Sequence, residues 1–330
     1  MKTKTFVLTA VLVLIAVLSS TGFAQKKVAQ AGLTFLKVGV GARAAAMGES
    51  YTAVANDANS IFWNPAGLTS IEDHEIALSY TDWIADLKHQ SMAGAWHFEN
   101  IGTFAVSLVY MDYGEPINYT RRNDSETGFE IGSTFSPLEY VAGIGYSRQF
   151  TDKFSMGVHI KYAYQGLGVS TVTSGTESKD VSNEVSALAV DFGTMYLTGI
   201  KDLRFAVSIS NFSKDLKYQE EAFQLPLTFR MGLAMSVWNV ENQSISLSVD
   251  AIHPRDFSEQ VHSGVEYWYN DLFALRGGYK YNNDAKGLTF GAGLNYQISE
   301  SAGTLVIDYA YSAFSDIFGA VNRFSLGYKF

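Results

Sequence analysis

The chain has no cysteine. Disulfides are excluded as a source of stability, acylation of a leading cysteine is excluded too, and a structural zinc site loses its commonest ligand. Charged residues make up only 17%, below the quarter usual in soluble domains. Basic residues are short: 24 Lys and Arg stand against 33 Asp and Glu, a net charge of −9. That balance argues against a nucleic-acid partner. Beyond the first residues, no stretch offers the roughly 18 consecutive apolar residues of a membrane-spanning helix.

What is present begins with an address. Lys2 and Lys4 precede an apolar run from Phe6 to Leu18, and Ser19, Ser20, Thr21 and Gly22 lead to Ala24. A charged start, a short apolar core and small residues before the cut read as a secretory signal over residues 1–24. Its removal would deepen the net charge to about −11, because Lys2 and Lys4 leave with it. Aromatic residues reach 14%, with 19 Tyr and 22 Phe. An exported, aromatic-rich chain without helical spans points to a transmembrane barrel.

Alternation supports this. Leu288, Phe290, Ala292, Leu294, Tyr296 and Ile298 share one face, with Thr289, Gly291, Gly293, Asn295 and Gln297 on the other. Phe324, Leu326, Tyr328 and Phe330 oppose Arg323, Ser325, Gly327 and Lys329. Period two over about 9 to 11 residues suits a tilted strand crossing a bilayer. Fourteen such segments fit between residues 74 and 330, so the expected fold is all-β: a 14-stranded antiparallel transmembrane barrel. Every second connection is tight, as at Glu99–Ile101 and Asn270-Asp271. The long ones, Asp112–Pro137, Gly166–Glu184 and Ser213–Leu225, fall on the opposite rim, the outer-membrane pattern. This puts both termini on the periplasmic side. The polar faces carry Arg230, Asp250, Glu266, Arg276 and Lys280, which are affordable at membrane depth only if they face a lumen.

Residues 25–73 differ from the strands. They are rich in Ala and Gly, with small residues suited to a segment folded inside a narrow barrel: a hatch. In Trp63-Asn64-Pro65-Ala66-Gly67-Leu68, Asn64 can cap a short helix whose first position suits Pro65. Gly41-Ala42-Arg43-Ala44-Ala45-Ala46-Met47-Gly48, Ala53-Val54-Ala55-Asn56-Asp57-Ala58 and Asn64-Pro65-Ala66-Gly67-Leu68 together resemble the N-terminal hatch of FadL-type outer-membrane proteins, in wording closest to the PorV/PorQ branch.

That resemblance implies an outer-membrane barrel that is not an enzyme and needs no cofactor or metal. PorV-like members accept exported proteins bearing a C-terminal sorting domain within the type IX secretion system. FadL-like members admit hydrophobic small molecules, which leave through a side opening gated by the hatch. The loops Gly166–Glu184 and Ser213–Leu225 lack the greasy surface an uptake site needs, so protein handling is the expectation and passive uptake the alternative. The candidate binding residues are Arg43, Asn56, Asp57, Asn64, Pro65, Ala66 and Gly67. Expected partners are outer-membrane lipid, secreted proteins with sorting domains, other secretion components, and the barrel-insertion machinery, which would read the last strand ending in Phe330.

Two chemical motifs carry less. Gly39-Val40-Gly41-Ala42-Arg43-Ala44 fits a loose dinucleotide fingerprint but lacks a βαβ unit. His89 and Ser91 share a strand face, a spacing similar to that of outer-membrane phospholipase A, but the register turns both into the lumen, whereas that enzyme's site faces lipid.

Overall fold

A computed structural model describes residues 31–122, 128–174, 177–217, 222–283, 286–299, 302–315 and 317–330. The export signal expected over residues 1–24 lies outside the described residues.

Fourteen antiparallel strands close into a barrel. In chain order they are β1 (His74–Asp82), β2 (Lys88–Phe98), β3 (Gly102–Asp112), β4 (Leu138–Thr151), β5 (Phe154–Ser174), β6 (Glu177–Leu197) and β7 (Arg204–Ser213). There follow β8 (Thr228–Val240), β9 (Gln243–Pro254), β10 (Gln260–Tyr269), β11 (Phe273–Tyr281), β12 (Leu288–Ser299), β13 (Gly303–Ser315) and β14 (Gly319–Lys329). Each pairs with its sequence neighbours, and β1 closes on β14 from Glu75↔Lys329 to Asp82↔Asn322. Closure leaves no edge strand unpaired, which a bilayer requires.

Burial follows the alternation. Along β1, Ile76, Leu78 and Tyr80 face outward while Glu75, Ala77, Ser79 and Thr81 are buried. The outward residues form an apolar wall, with aromatic clusters towards the short-turn rim: Phe98, Phe104 and Tyr146 at centroid spacings of 5.8 and 5.0 Å, and Tyr328 with Phe330 at 4.7 Å. Charged strand residues turn inward, among them Asp191, Asp250, Glu266, Arg276 and Arg323. This is the inside-out pattern of a membrane barrel.

Two expectations need correction. Gly166–Glu184 is not a loop: after a register shift at Gly166/Val169, β5 and β6 continue pairing to Ser174↔Glu177. Val169, Val172 and Val181 favour strand, and above the lipid both faces of a ribbon meet water, so no alternation is needed. The long connection between β3 and β4 likewise carries its own hairpin, Ile117–Arg122 with Phe129–Phe135. The second concerns the hatch, whose described part starts at Ala31; the N-terminus itself lies outside the described residues. The first strand starts and the last one ends at the short-turn rim, where the Phe330 amide donates to the His74 carbonyl at 3.0 Å. Ala31, however, bridges Gln224 in the β7–β8 connection at the opposite rim. The hatch thus runs the length of the lumen before entering β1.

Candidate functional site

Inside the barrel the hatch forms two short helices, α1 (Ala42–Ala46) and α2 (Ser60–Trp63), and two 3-10 turns, Thr34–Lys37 and Pro65–Ser70. None is long enough to persist alone; the wall holds each in place. Asn64 is extended (φ −151°), its Oδ1 accepts from the Ala66 amide at 3.1 Å, and Pro65 opens the turn. The Asn64 amide group donates to the Thr52 carbonyl at 2.9 Å and to the Thr194 carbonyl of β6 at 3.1 Å. Ser147 and Ser155 both reach the Ala66 carbonyl at 3.4 Å. Gly67 packs so closely that a Cβ there would lie 2.4 Å from the Ala55 carbonyl oxygen.

The other candidates meet across the lumen. Arg43 forms a two-pronged bond to Glu266 of β10, Nε to Oε2 at 2.9 Å and Nη2 to Oε1 at 2.8 Å. Its Nη1 donates to Asn56 Oδ1 at 2.6 Å and stands 3.7 Å from Asp57. Tyr51 donates to Asp57 at 2.6 Å. Behind Glu266 stands Arg276, at 2.6 Å, which also pairs with Asp308 at 2.5 Å. Arg43, Asn56 and Asp57 thus belong to one buried network, and Asn64, Pro65, Ala66 and Gly67 to another contact with β4–β6. Both anchor the hatch.

Three further anchors were not singled out from sequence. Glu49 accepts from Lys280 at 2.5 Å. The Tyr51 and Thr52 amides donate to Asp250 at 3.1 and 2.9 Å. Lys37 pairs with Asp256 in the β9–β10 turn. The Asp250 and Lys280 side chains are legible as inward-facing; their hatch partners are not, because nothing in a strand's alternation says which residue lies opposite across a lumen.

The hatch fills the short-turn half. Leu68 and Ile71 pack on Ala77, Ala93, Ala95 and Ala105, small inward residues of β1–β3. Towards the long-loop rim the lumen stays open as two adjoining cavities of about 270 and 350 Å³ on either side of Phe35–Gly39. The first is lined by Phe35, Val38, Phe62, Trp63, Arg230, Ile252 and His262, with Pro254, Asp256 and Phe257 at its mouth. On one side of it β2–β3 and β3–β4 pair without a bulge; on the other, the β6–β7 pairing shifts register beside Ser210 and Asn211.

Sequence reasoning considered His89 with Ser91; both are buried in the lumen, and Ser91 Oγ has no hydrogen-bond partner among the described residues. A different set shows relay geometry. Ser107 Oγ lies 2.8 Å from His159 Nε2, and His159 Nδ1 lies 2.9 Å from Asp191 Oδ2. Asp191 faces inward by the alternation of β6, in line with buried Val185, Ala187, Ala189 and Met195, while the β6–β7 bulge adds its extra residue on β7. Nucleophilic chemistry also needs substrate access and oxyanion donors. Asp191 is already bonded to Lys161 at 2.7 Å and to the Asn211 amide at 2.6 Å, and Ser107 lines neither chamber cavity. The set works as a buried strut joining β3, β5, β6 and β7.

Residues 21–253 match the family described as Type IX secretion system protein PorV. No curated protein sequence matches the chain. Among solved structures the chain is similar to the Ralstonia pickettii toluene transporter TbuX, 13% identical with a TM-score of 0.60, over 88% of this chain and 98% of that one. It is also similar to the Pseudomonas putida toluene transporter TodX, 12% identical with a TM-score of 0.56, over 92% and 98%. A Pseudomonas aeruginosa FadL homologue is 12% identical with a TM-score of 0.51, over 84% and 95%. At these identities the likeness is one of fold: an outer-membrane barrel with FadL-like architecture.

Proposed function

The chain belongs to the PorV family of type IX secretion system proteins, and from that premise we propose that it receives exported proteins at its extracellular mouth and hands them on within that system. The supporting observation is the shape of the lumen. A chamber open at the long-loop rim ends on a hatch that buried ion pairs and backbone hydrogen bonds tie to the wall. Such a chamber suits reception better than passage. The ribbon at Val169–Ser174 and Glu177–Ser182 and the hairpin Ile117–Arg122/Phe129–Phe135 belong to the connections of that rim and give a β-rich partner strand-like surface to dock on.

Within this proposal residues 1–24 are a cleaved export signal, and the strand ending in Phe330 is read by the insertion machinery. Arg43, Asn56, Asp57, Asn64, Pro65, Ala66 and Gly67 act by fixing the chamber floor. The second reading, passive uptake of hydrophobic molecules, draws on the toluene-transporter fold. Against it, the β2–β3–β4 wall is paired without a break. Gentle solubilisation and affinity capture of a loop-tagged protein, followed by mass spectrometry, tests the proposal. Exported proteins sharing a C-terminal domain should co-purify and be lost when that domain is deleted. Co-purified hydrophobic small molecules without protein would overturn it.

A further inference from the structure

In the cavity beside Trp63 one cation lacks a direct ion pair. Lys37 pairs with Asp256, Lys161 with Asp191 and Lys280 with Glu49. Arg230 has no carboxylate within ion-pair distance among the described residues. Its Nη1 reaches only Ser210 Oγ, at 3.4 Å, its Nε has no partner, and its guanidinium stands 5.5 Å over the Trp63 ring. His262, 2% exposed, lines the same cavity with neither ring nitrogen hydrogen-bonded. Buried polar groups of this kind cost free energy unless something pairs with them. One guanidinium and one imidazole N–H match a monoanion that accepts two or more hydrogen bonds.

The remaining wall narrows the choice. Phe35, Val38 and Phe62 add apolar lining to the same cavity, and Trp63 under the guanidinium and Ile252, the cross-strand neighbour of Arg230, continue it beside the charge. Two acceptors, Asn211 Oδ1 and Asp256 Oδ1, are also without partners in this cavity. An alkyl carboxylate has no donor for them; a peptide end has backbone N–H groups as well as its carboxylate. β8 starts at Thr228 on the outer rim, so Arg230 lies two residues, or about 7 Å, along the strand. Two or three extended residues reach it from outside. A cavity of about 270 Å³ takes a chain end and not a folded domain.

We propose that this chamber seats the free C-terminal carboxylate of an extended polypeptide, with Arg230 as counter-ion, His262 as second donor and the Phe35–Trp63 side holding an apolar terminal side chain. This rests on the protein-receiving reading and names its deepest subsite. The chain end would dock first, leaving the folded part of the exported protein on the rim.

The test uses the purified full-length barrel in detergent and a randomised hexapeptide library, prepared as free acids and as C-terminal amides, with decanoate as a separate probe. Free acids should be retained about tenfold better than amides, the worth of one charge-assisted bond, with enrichment of apolar last residues. Arg230→Gln should erase the difference. Ile252→Trp, which fills the cavity without changing charge, should lower retention of both forms. Heat-modifiable gel migration checks that each variant remains a folded barrel. Equal retention of acids and amides, or an unchanged preference in folded Arg230→Gln, would overturn the proposal. Decanoate binding that displaces every peptide would assign the site to a lipid acid instead. Capture of exported proteins with no acid–amide difference would refute this subsite alone; an acid preference without any captured protein would count against the receiving role instead.

Discussion

Arg43 of the hatch and Glu266 of β10 meet through two parallel hydrogen bonds, 2.9 and 2.8 Å long, in the middle of the lumen. With Arg276 and Asp308 behind Glu266, removing one partner leaves a buried charge short of its match, which typically costs about 3–5 kcal/mol. Arg43→Ala should therefore loosen the hatch while the barrel stays closed. The natural chain has no cysteine, so a single cysteine placed at Ala53 reports on hatch opening. Its labelling by a thiol reagent should be slow with Arg43 present and faster by orders of magnitude without it.

Gly278 on β11 is a second contact of the same kind. A Cβ there would stand 2.1 Å from the Gly48 amide nitrogen and 2.3 Å from the Met47 carbonyl carbon, both backbone atoms. Gly278→Val should displace the α1 end of the hatch, whereas Gly277→Val, whose Cβ would meet nothing closer than 3.7 Å, should not. Amide hydrogen exchange across Ala42–Tyr51 distinguishes the two variants.

Much of this architecture is legible in the sequence, and the limits have physical causes. Strand positions follow from period two because lipid and lumen impose opposite chemistry on successive residues. That pressure ends at the rim, so the polar extension of β5 and β6 past Gly166 reads as loop. Asn64-Pro65 declares its turn locally. The pairing of Arg43 with Glu266, 223 residues away, and the relay of Ser107, His159 and Asp191 depend on which strands face one another, which alternation does not encode. The route of the hatch, from Gln224 at one rim to β1 at the other, leaves no periodic trace at all.

Leu247 lies in the middle of β9 with its side chain outward. Leu247→Arg should destabilise the inserted barrel by about 2–4 kcal/mol, the cost of Arg at the bilayer midplane. Urea unfolding in lipid vesicles measures this, with Val240→Arg, at the short-turn end of the neighbouring strand β8, as the near-neutral comparison.

Asp191 should matter more than Ser107. Asp191→Asn leaves Lys161 buried without its counter-charge, a cost of about 3–5 kcal/mol. Ser107→Ala deletes one hydrogen bond to His159 and should cost about 1–3 kcal/mol. Thermal unfolding of the two variants in detergent ranks them; equal effects would contradict the strut.

The central claim is that exported proteins are received at the long-loop mouth. Ile317, in the β13–β14 turn on that rim and 87% exposed, is the position to replace with a photo-crosslinking amino acid in living cells. Ile200, 65% exposed in a short turn, serves as the opposite-rim control. The account predicts crosslinks from position 317 to the C-terminal domains of exported proteins, and none to those domains from position 200. Crosslinks from 317 confined to lipid, with no exported protein at either rim, would contradict it.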